Sequence, residues 1–238
     1  MAIGSYEKCK EYIESHTPKT AVSRERRIPY PCVTISRETG AGVQAVCKHL
    51  ISILEENSYK DDIHWTFFDR KLIEKVLEDL HLPKRISEYL VEDKYRYISS
   101  AINELLGLHP TQWTILHKTT ETVLQLARMG KAVIVGRGGN IITSNLKNVF
   151  HVRLIAPIEK RIDHVMEIMN LNNDEARAYI KKEDTARKMY LKSNFGKDVS
   201  DPLSYHIVLN TGMLSYKEAA EIIASAVMKK FPKFFVVN

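Results

Sequence analysis

From residue 31 to residue 231 the chain alternates short β-branched runs with longer stretches whose apolar residues recur every three or four positions. "PCVTIS" (31–36), "WTFF" (65–68), "KAVIVG" (131–136), "VFHVRLIA" (149–156) and "YHIVLNT" (205–211) have the length and composition of buried strands. After the first run, apolar residues fall at 43, 46, 47, 50, 51 and 54, which is one face of a helix. Helical patterns also cover 70–80, about 112–129 with Gly130 as its stop, and 174 to about 192. Another starts at Pro157 and carries the stripe Ile158, Ile162, Val165, Met166 and Met169. A last one runs from 215 to 231, where Ser215 and Glu218 are spaced as a capping box. Residues 1–17 carry a short apolar face (Tyr6, Cys9, Tyr12, Ile13), and the basic, proline-bracketed stretch 18–30 reads as a linker. Residues 83–110 read as mixed helix and turn, with a break at Gly107 and Pro110.

Five strands alternating with helices predict an α/β fold: a central parallel five-stranded sheet with helices on both faces, a three-layer sandwich. Ligands in such sheets bind beyond the carboxyl ends of the strands. That rule selects four segments: 36–44, 69–70, 136–140 and 156–161.

Composition changes this picture little. At 238 residues, 44% hydrophobic and 27% charged, the chain reads as an ordinary soluble domain. Three cysteines are too few for a disulfide framework or a zinc cluster, so reduced thiols and a cytoplasmic location are expected. The first residues carry no apolar core of a signal peptide, and no apolar run reaches the ~20 residues of a membrane span. The net charge of +6 is spread along the chain, which suits a phosphate pocket better than a nucleic-acid arm.

The chemistry concentrates in "VTISRETGAGVQAVCKHL" (33–50): a strand, a glycine turn, a helix. Against the phosphate-loop template G-x-x-x-x-G-K-[ST], residues 37–44 match at Gly42 alone; Val43 and Gln44 stand where Lys and Ser or Thr belong. Thr39, Gly40, Ala41, Gly42, Val43 and Gln44 could still present main-chain N–H groups to donor phosphates, and Arg37 could supply the missing cation. A plain strand-to-helix turn fits the same residues. Asp69 follows a strand and could cap a helix or meet a substrate. Arg137 sits among glycines in "VIVGRGGN", a pattern suited to close backbone approach with an arginine aimed at a ligand. The segment 172–200 is cationic and lies between the fourth and fifth strands, as a closing lid would. Its pairs Glu183–Arg187 and Asp184–Lys188 are also spaced to stabilise a solvated helix.

Four of these stretches, "VTISRETGAGV", "GRGGNIITSNLKNVFHVRLIAPIEKRI", "KEDTARKMY" and "DPLSYHIVLNTGMLS", resemble in order the cytidylate kinase-like branch of the P-loop nucleoside monophosphate kinases. The resemblance covers roughly 31–230, within a domain at 31–232, with the acceptor side at about 70–128. That branch commonly lacks the loop lysine and tends to have Gly where this chain has Val43. The resemblance implies a P-loop kinase fold with a helical lid, ATP as donor, Mg²⁺ held mainly by phosphates and water, and a CMP-like acceptor. It places Arg137, with Asp69, at the acceptor. Arg187 would be the lid arginine at the transferring phosphate, with Asp184 alongside and Arg161 behind it. Arg37, Arg161 and Arg187 are then the catalytic candidates, with no metal-ligating side chains. The degenerate loop leaves open a catalytically impaired nucleotide-binding or sensor module. Small nucleotides are the expected partners, without nucleic acid or membrane; the arm at 1–30 could pack in cis or bridge a homodimer.

Overall fold

The computed structural model describes residues 11–12, 29–59, 63–70, 73 and 112–236. The helix expected over 70–80, most of the arm at 1–30 and the stretch 83–110 lie outside them.

The strands are β1 (Cys32–Arg37), β2 (Thr66–Phe68), β3 (Ala132–Val135), β4 (Val149–Ile155) and β5 (Ile207–Asn210). All pair in parallel, in the order β2-β3-β1-β4-β5. The helices are α1 (Val43–Asn57), α2 (Gln112–Met129), α3 (Gly139–Ile142), α4 (Ile158–Met169), α5 (Asn173–Phe195) and α6 (Tyr216–Lys230). The predicted strand 131–136 loses both ends because Lys131 and Gly136 adopt positive φ. The short α3 carries no periodic signal and was not expected.

Strand alternation sorts the core into two layers. Val33, Ile35, Val133 and Val135 pack with Val46, Cys47 and Leu50 of α1 and with Ala219, Ile223 and Val227 of α6. On the opposite face Cys32, Ala132, Ile134 and Phe68 pack with Val123, Leu126 and Ala127 of α2. Tyr12 from the N-terminal arm joins this second layer, its ring edge-on to Phe68 and its hydroxyl donating to the Gly130 carbonyl. Each buried aliphatic side chain contributes about 1.5–3 kcal/mol. The three-layer sandwich is therefore present as expected.

Beyond the sheet, Ile162 and Val165 of α4 bury against Ala176 and Ile180 of α5 in a third, smaller cluster. Asn172 and Glu175 close a capping box at the start of α5, which fixes where the helix begins. β1 and β4 are neighbours whose onward connections leave for opposite edges of the sheet, so the carboxyl ends of these strands flank the crevice. Among the described residues no helix is long and apolar enough to cross a membrane.

Candidate functional site

The chain leaves β1 through a tight turn: the Glu38 N–H donates to the Leu154 carbonyl (3.0 Å) and the Ala41 N–H to the Glu38 carbonyl (3.2 Å). Gly42 then adopts φ +72° as the N-cap of α1. A Cβ there would lie 2.1 Å from the Tyr216 ring, so shape and conformation both demand glycine. No side chain caps α1, whereas α5 and α6 both carry capping boxes. Its first N–H groups and positive dipole end therefore face the turn without a resident side-chain acceptor. Gly40 lies against the main chain of Arg161, and the Thr211 hydroxyl donates to the Ala41 carbonyl (3.0 Å). Val43 packs on the core below, and Gln44 is exposed.

Two helices, α4 and α5, converge on Thr39. Its N–H and hydroxyl both donate to Asp184 Oδ1, each at 2.8 Å. Arg161 Nη1 donates to Asp184 Oδ2 (2.6 Å) and to the Thr39 carbonyl (3.3 Å). Arg187 Nη2 donates to the Thr39 hydroxyl (2.6 Å) and lies 3.6 Å from Asp184, while its Nη1 donates to the Arg37 carbonyl (3.1 Å). Asp184 and Arg187 of α5 thus turn inward onto the loop and pair with each other, rather than forming only the solvated i,i+4 pairs their spacing suggests. Burial holds the Arg187 guanidinium below its usual range, partly offset by Asp184 and Glu183.

Arg37, Asp69 and Arg137 gather on the β3 side. The Arg37 guanidinium runs across to Gly136, its Nη1 2.3 Å from where a Cβ would be. Burial first, and then the neighbouring Arg187, push its pKa down to about 10, with Asp69 and Glu183 opposing. It stays protonated at neutral pH. Asp69 also starts a helical turn, its carbonyl accepting from the Ile73 N–H (3.0 Å). Arg137 holds φ +55°, unusual for a non-glycine residue, and its guanidinium lies 5.9 Å from the Tyr190 ring centroid. The neighbouring glycines are packed by protein: Gly138 meets Leu191 and Phe195 of α5, and Gly139 meets Thr34. The close approach inferred from "GRGG" is thus, in part, the docking of α5 on this turn.

A polar strip crosses the sheet beneath. Thr34 pairs in register with His151, and Ser36 with Arg153. Both pairs are bonded through side chains: Thr34 Oγ1 with His151 Nδ1 (2.7 Å), and Arg153 Nη1 to Ser36 Oγ (3.2 Å). Glu38 joins the strip to the loop. It accepts from the Ala156 N–H (3.1 Å) and lies 3.6 Å from Arg161 and 4.0 Å from Arg153. Glu38, Arg153 and Tyr216 were not singled out from sequence. Arg153 was legible, since His151 and Arg153 share one face of an otherwise apolar strand, as Thr34 and Ser36 do in β1.

A family model described as "Cytidylate kinase-like family" matches residues 32–213, most of the chain and every residue of this cluster except Tyr216. The chain belongs to the cytidylate kinase-like family. Its five-stranded parallel sheet with helices on both faces is the α/β fold expected of that family. An uncharacterized protein from Eubacterium ventriosum superposes with a TM-score of 0.63 at 20% identity, covering 84% of this chain and 98% of that one. This likeness is one of fold. Shikimate kinase from Bacteroides thetaiotaomicron aligns over 84% of this chain and 96% of its own at 13% identity, with a TM-score of 0.42, too loose a superposition to carry weight. A uronate isomerase of Corynebacterium glutamicum is 24% identical over 115 residues, 48% of this chain. The chain spans only 22% of that curated relative's length.

Within this family frame the sequence-selected residues form two groups. Thr39, Arg161, Asp184 and Arg187 meet on the loop, and the side chains of Arg37, Asp69 and Arg137 lie toward β3; Arg187 also bonds the main-chain carbonyl of Arg37 at the end of β1. Val43 and Gln44 join neither group. Cys32 and Cys47 are buried in the core, where burial pushes both thiols up, so neither is poised as a nucleophile.

Proposed function

We propose that this cytidylate kinase-like chain is an ATP-dependent phosphotransferase acting on a nucleoside monophosphate, with a CMP-like acceptor by family analogy. One observation carries the reading: Arg187 of α5 bonds the Thr39 hydroxyl of the loop and the carbonyl of Arg37 at once. Phosphoryl transfer depends mainly on positioning and on cations around the transferring group. A guanidinium tied to the turn at two points, the Arg37 carbonyl and the Thr39 hydroxyl, supports a role for Arg187 as a cation beside the phosphates.

In this reading the main-chain N–H groups of Thr39 to Gln44 and the uncapped start of α1 hold the donor phosphates. Arg37 and Arg187 supply the charge that a loop lysine would give. Arg137 and Asp69 hold the acceptor, and Arg161, braced by Glu38, fixes Arg187 through Asp184 and Thr39. Mg²⁺ would travel with the phosphates, held mainly by their oxygens and by water. No strong base is needed, because the acceptor phosphate is already anionic. A cytoplasmic location and nucleotide partners follow from the same reading.

A second reading is favoured by Val43, which packs on the core and leaves no cation at the lysine position: a nucleotide-binding sensor without turnover. Incubation with Mg-ATP and a panel of nucleoside monophosphates, followed by ADP release, separates the two. ADP formation with one acceptor is expected. No turnover with any acceptor, alongside ATP-induced thermal stabilisation, would leave the sensor. No effect of ATP at all would remove both readings.

A further inference from the structure

The Asp184 carboxylate is surrounded as a bound anion would be. It receives one main-chain N–H, one hydroxyl and one guanidinium within 2.8 Å, and a second guanidinium stands 3.6 Å away. These donors come from three places: the β1–α1 turn, α4 and α5 itself. An aspartate needed only for helix stability would face water and pair with Lys188 one turn on. Asp184 instead lies on the inner side of α5 and turns the donor set of a phosphate site upon itself.

We propose that Thr39, Arg161 and Arg187 form an oxyanion site for a phosphoryl group of the nucleotide, and that the Asp184 carboxylate is its built-in competitor. This rests on the phosphate-binding reading of the loop. A phosphate oxygen seated on the Thr39 N–H and the Arg161 guanidinium would share two donors with the carboxylate and be repelled by it. The phosphoryl group therefore enters as Asp184 leaves, and the two arginines pass from one anion to the other. Without nucleotide the carboxylate keeps α5 docked and the arginines aligned; with nucleotide it is released from the loop. By reciprocity, whatever the carboxylate gains from the site is subtracted from the anion's affinity.

The test uses the full chain and inorganic tripolyphosphate without metal, titrated calorimetrically. Asp184→Asn keeps the shape and one acceptor oxygen but loses the charge, and is expected to bind about tenfold tighter than the wild type. Glu56→Gln removes one negative charge from the exposed far end of α1 and is expected to stay within about threefold of wild type, which separates local competition from net charge. Binding by Asp184→Asn equal to or weaker than wild type, with wild-type binding intact, would overturn the competition while leaving the phosphate reading in place. An equal gain from Glu56→Gln would also overturn it. Absence of binding by every chain, to tripolyphosphate and to ATP, would overturn both. A wild-type measurement covers a variant that fails to fold: the Asp184 carboxyl ¹³C resonance should move when tripolyphosphate is added, and an unmoved signal at saturation contradicts the displacement.

Discussion

The guanidinium of Arg37 occupies the space that a side chain on Gly136 would need. Its Nη1 is 2.3 Å from the β-carbon position, and Gly136 itself has φ +82°. The glycine of "VIVGRGG" and the arginine of "VTISRE" are therefore one device, built across β1 and β3. Gly136→Ala should destabilise the fold by about 1–3 kcal/mol through backbone strain and should also push Arg37 out of place. Chemical denaturation gives the first effect. The second appears as a loss of ATP-induced thermal stabilisation greater than the lower stability alone produces; unchanged ATP stabilisation would mean that the seat of Arg37 does not matter.

Arg37→Ala should weaken ATP binding about tenfold, consistent with about 1.5 kcal/mol for a hydrogen bond to a charged group. Val43→Ala, a truncation on the packed side of α1, should change binding far less and stability more. Calorimetric titration and melting of both variants decide between them. Equal small effects on binding would show that Arg37 is not the stand-in for the loop lysine.

Gly42 and Tyr216 should be energetically coupled. Gly42→Ala meets the Tyr216 ring at 2.1 Å and keeps a positive φ of 72°. In a Tyr216→Ala background the clash is gone and only the strain, about 1–3 kcal/mol, remains. A double-mutant cycle in urea should give a coupling of about 1 kcal/mol or more, and additive effects would contradict the contact.

His151 sets an acid limit on stability. Burial, then the nearby His206 and Lys230, lower its pKa to about 4 from the usual 6.5. Between these values the unfolded chain takes up a proton that the folded chain refuses, so stability is full above about pH 6.5 and falls as the pH drops toward 4. The loss from this residue is up to about 3 kcal/mol. His151→Leu should flatten the slope of unfolding free energy over that window, at the cost of the Thr34 bond at 2.7 Å. An unchanged slope would assign the acid loss to other groups.

Much of the frame was legible because helix and strand periods are local. The stripe 43, 46, 47, 50, 51, 54 and the β-branched run at 33–35 needed no tertiary information. Asp184 was harder. Its spacing to Lys188 describes a solvated pair, and only the register of β1 and β4 and the docking of α4 on Gly40 bring it onto Thr39. Glu38 was missed for the same reason, since its partners lie on β4 and α4, more than a hundred residues on. The glycines of 136–139 were seen as space left for a ligand, whereas Arg37, Leu191, Phe195 and Thr34 fill much of it. A sequence marks where backbone must be approached closely, but not by what.

The central strand has no partner nearby in the chain. β1 pairs with β3 about a hundred residues later and with β4 further on still. Both closures must happen before the turn after β1 has a shape, and long closures are slow to form. The turn after β1 therefore depends on contacts of long sequence separation. A peptide spanning residues 31–57 would carry the whole glycine motif and its helix, but not Arg161, Asp184 or Arg187, which meet on Thr39.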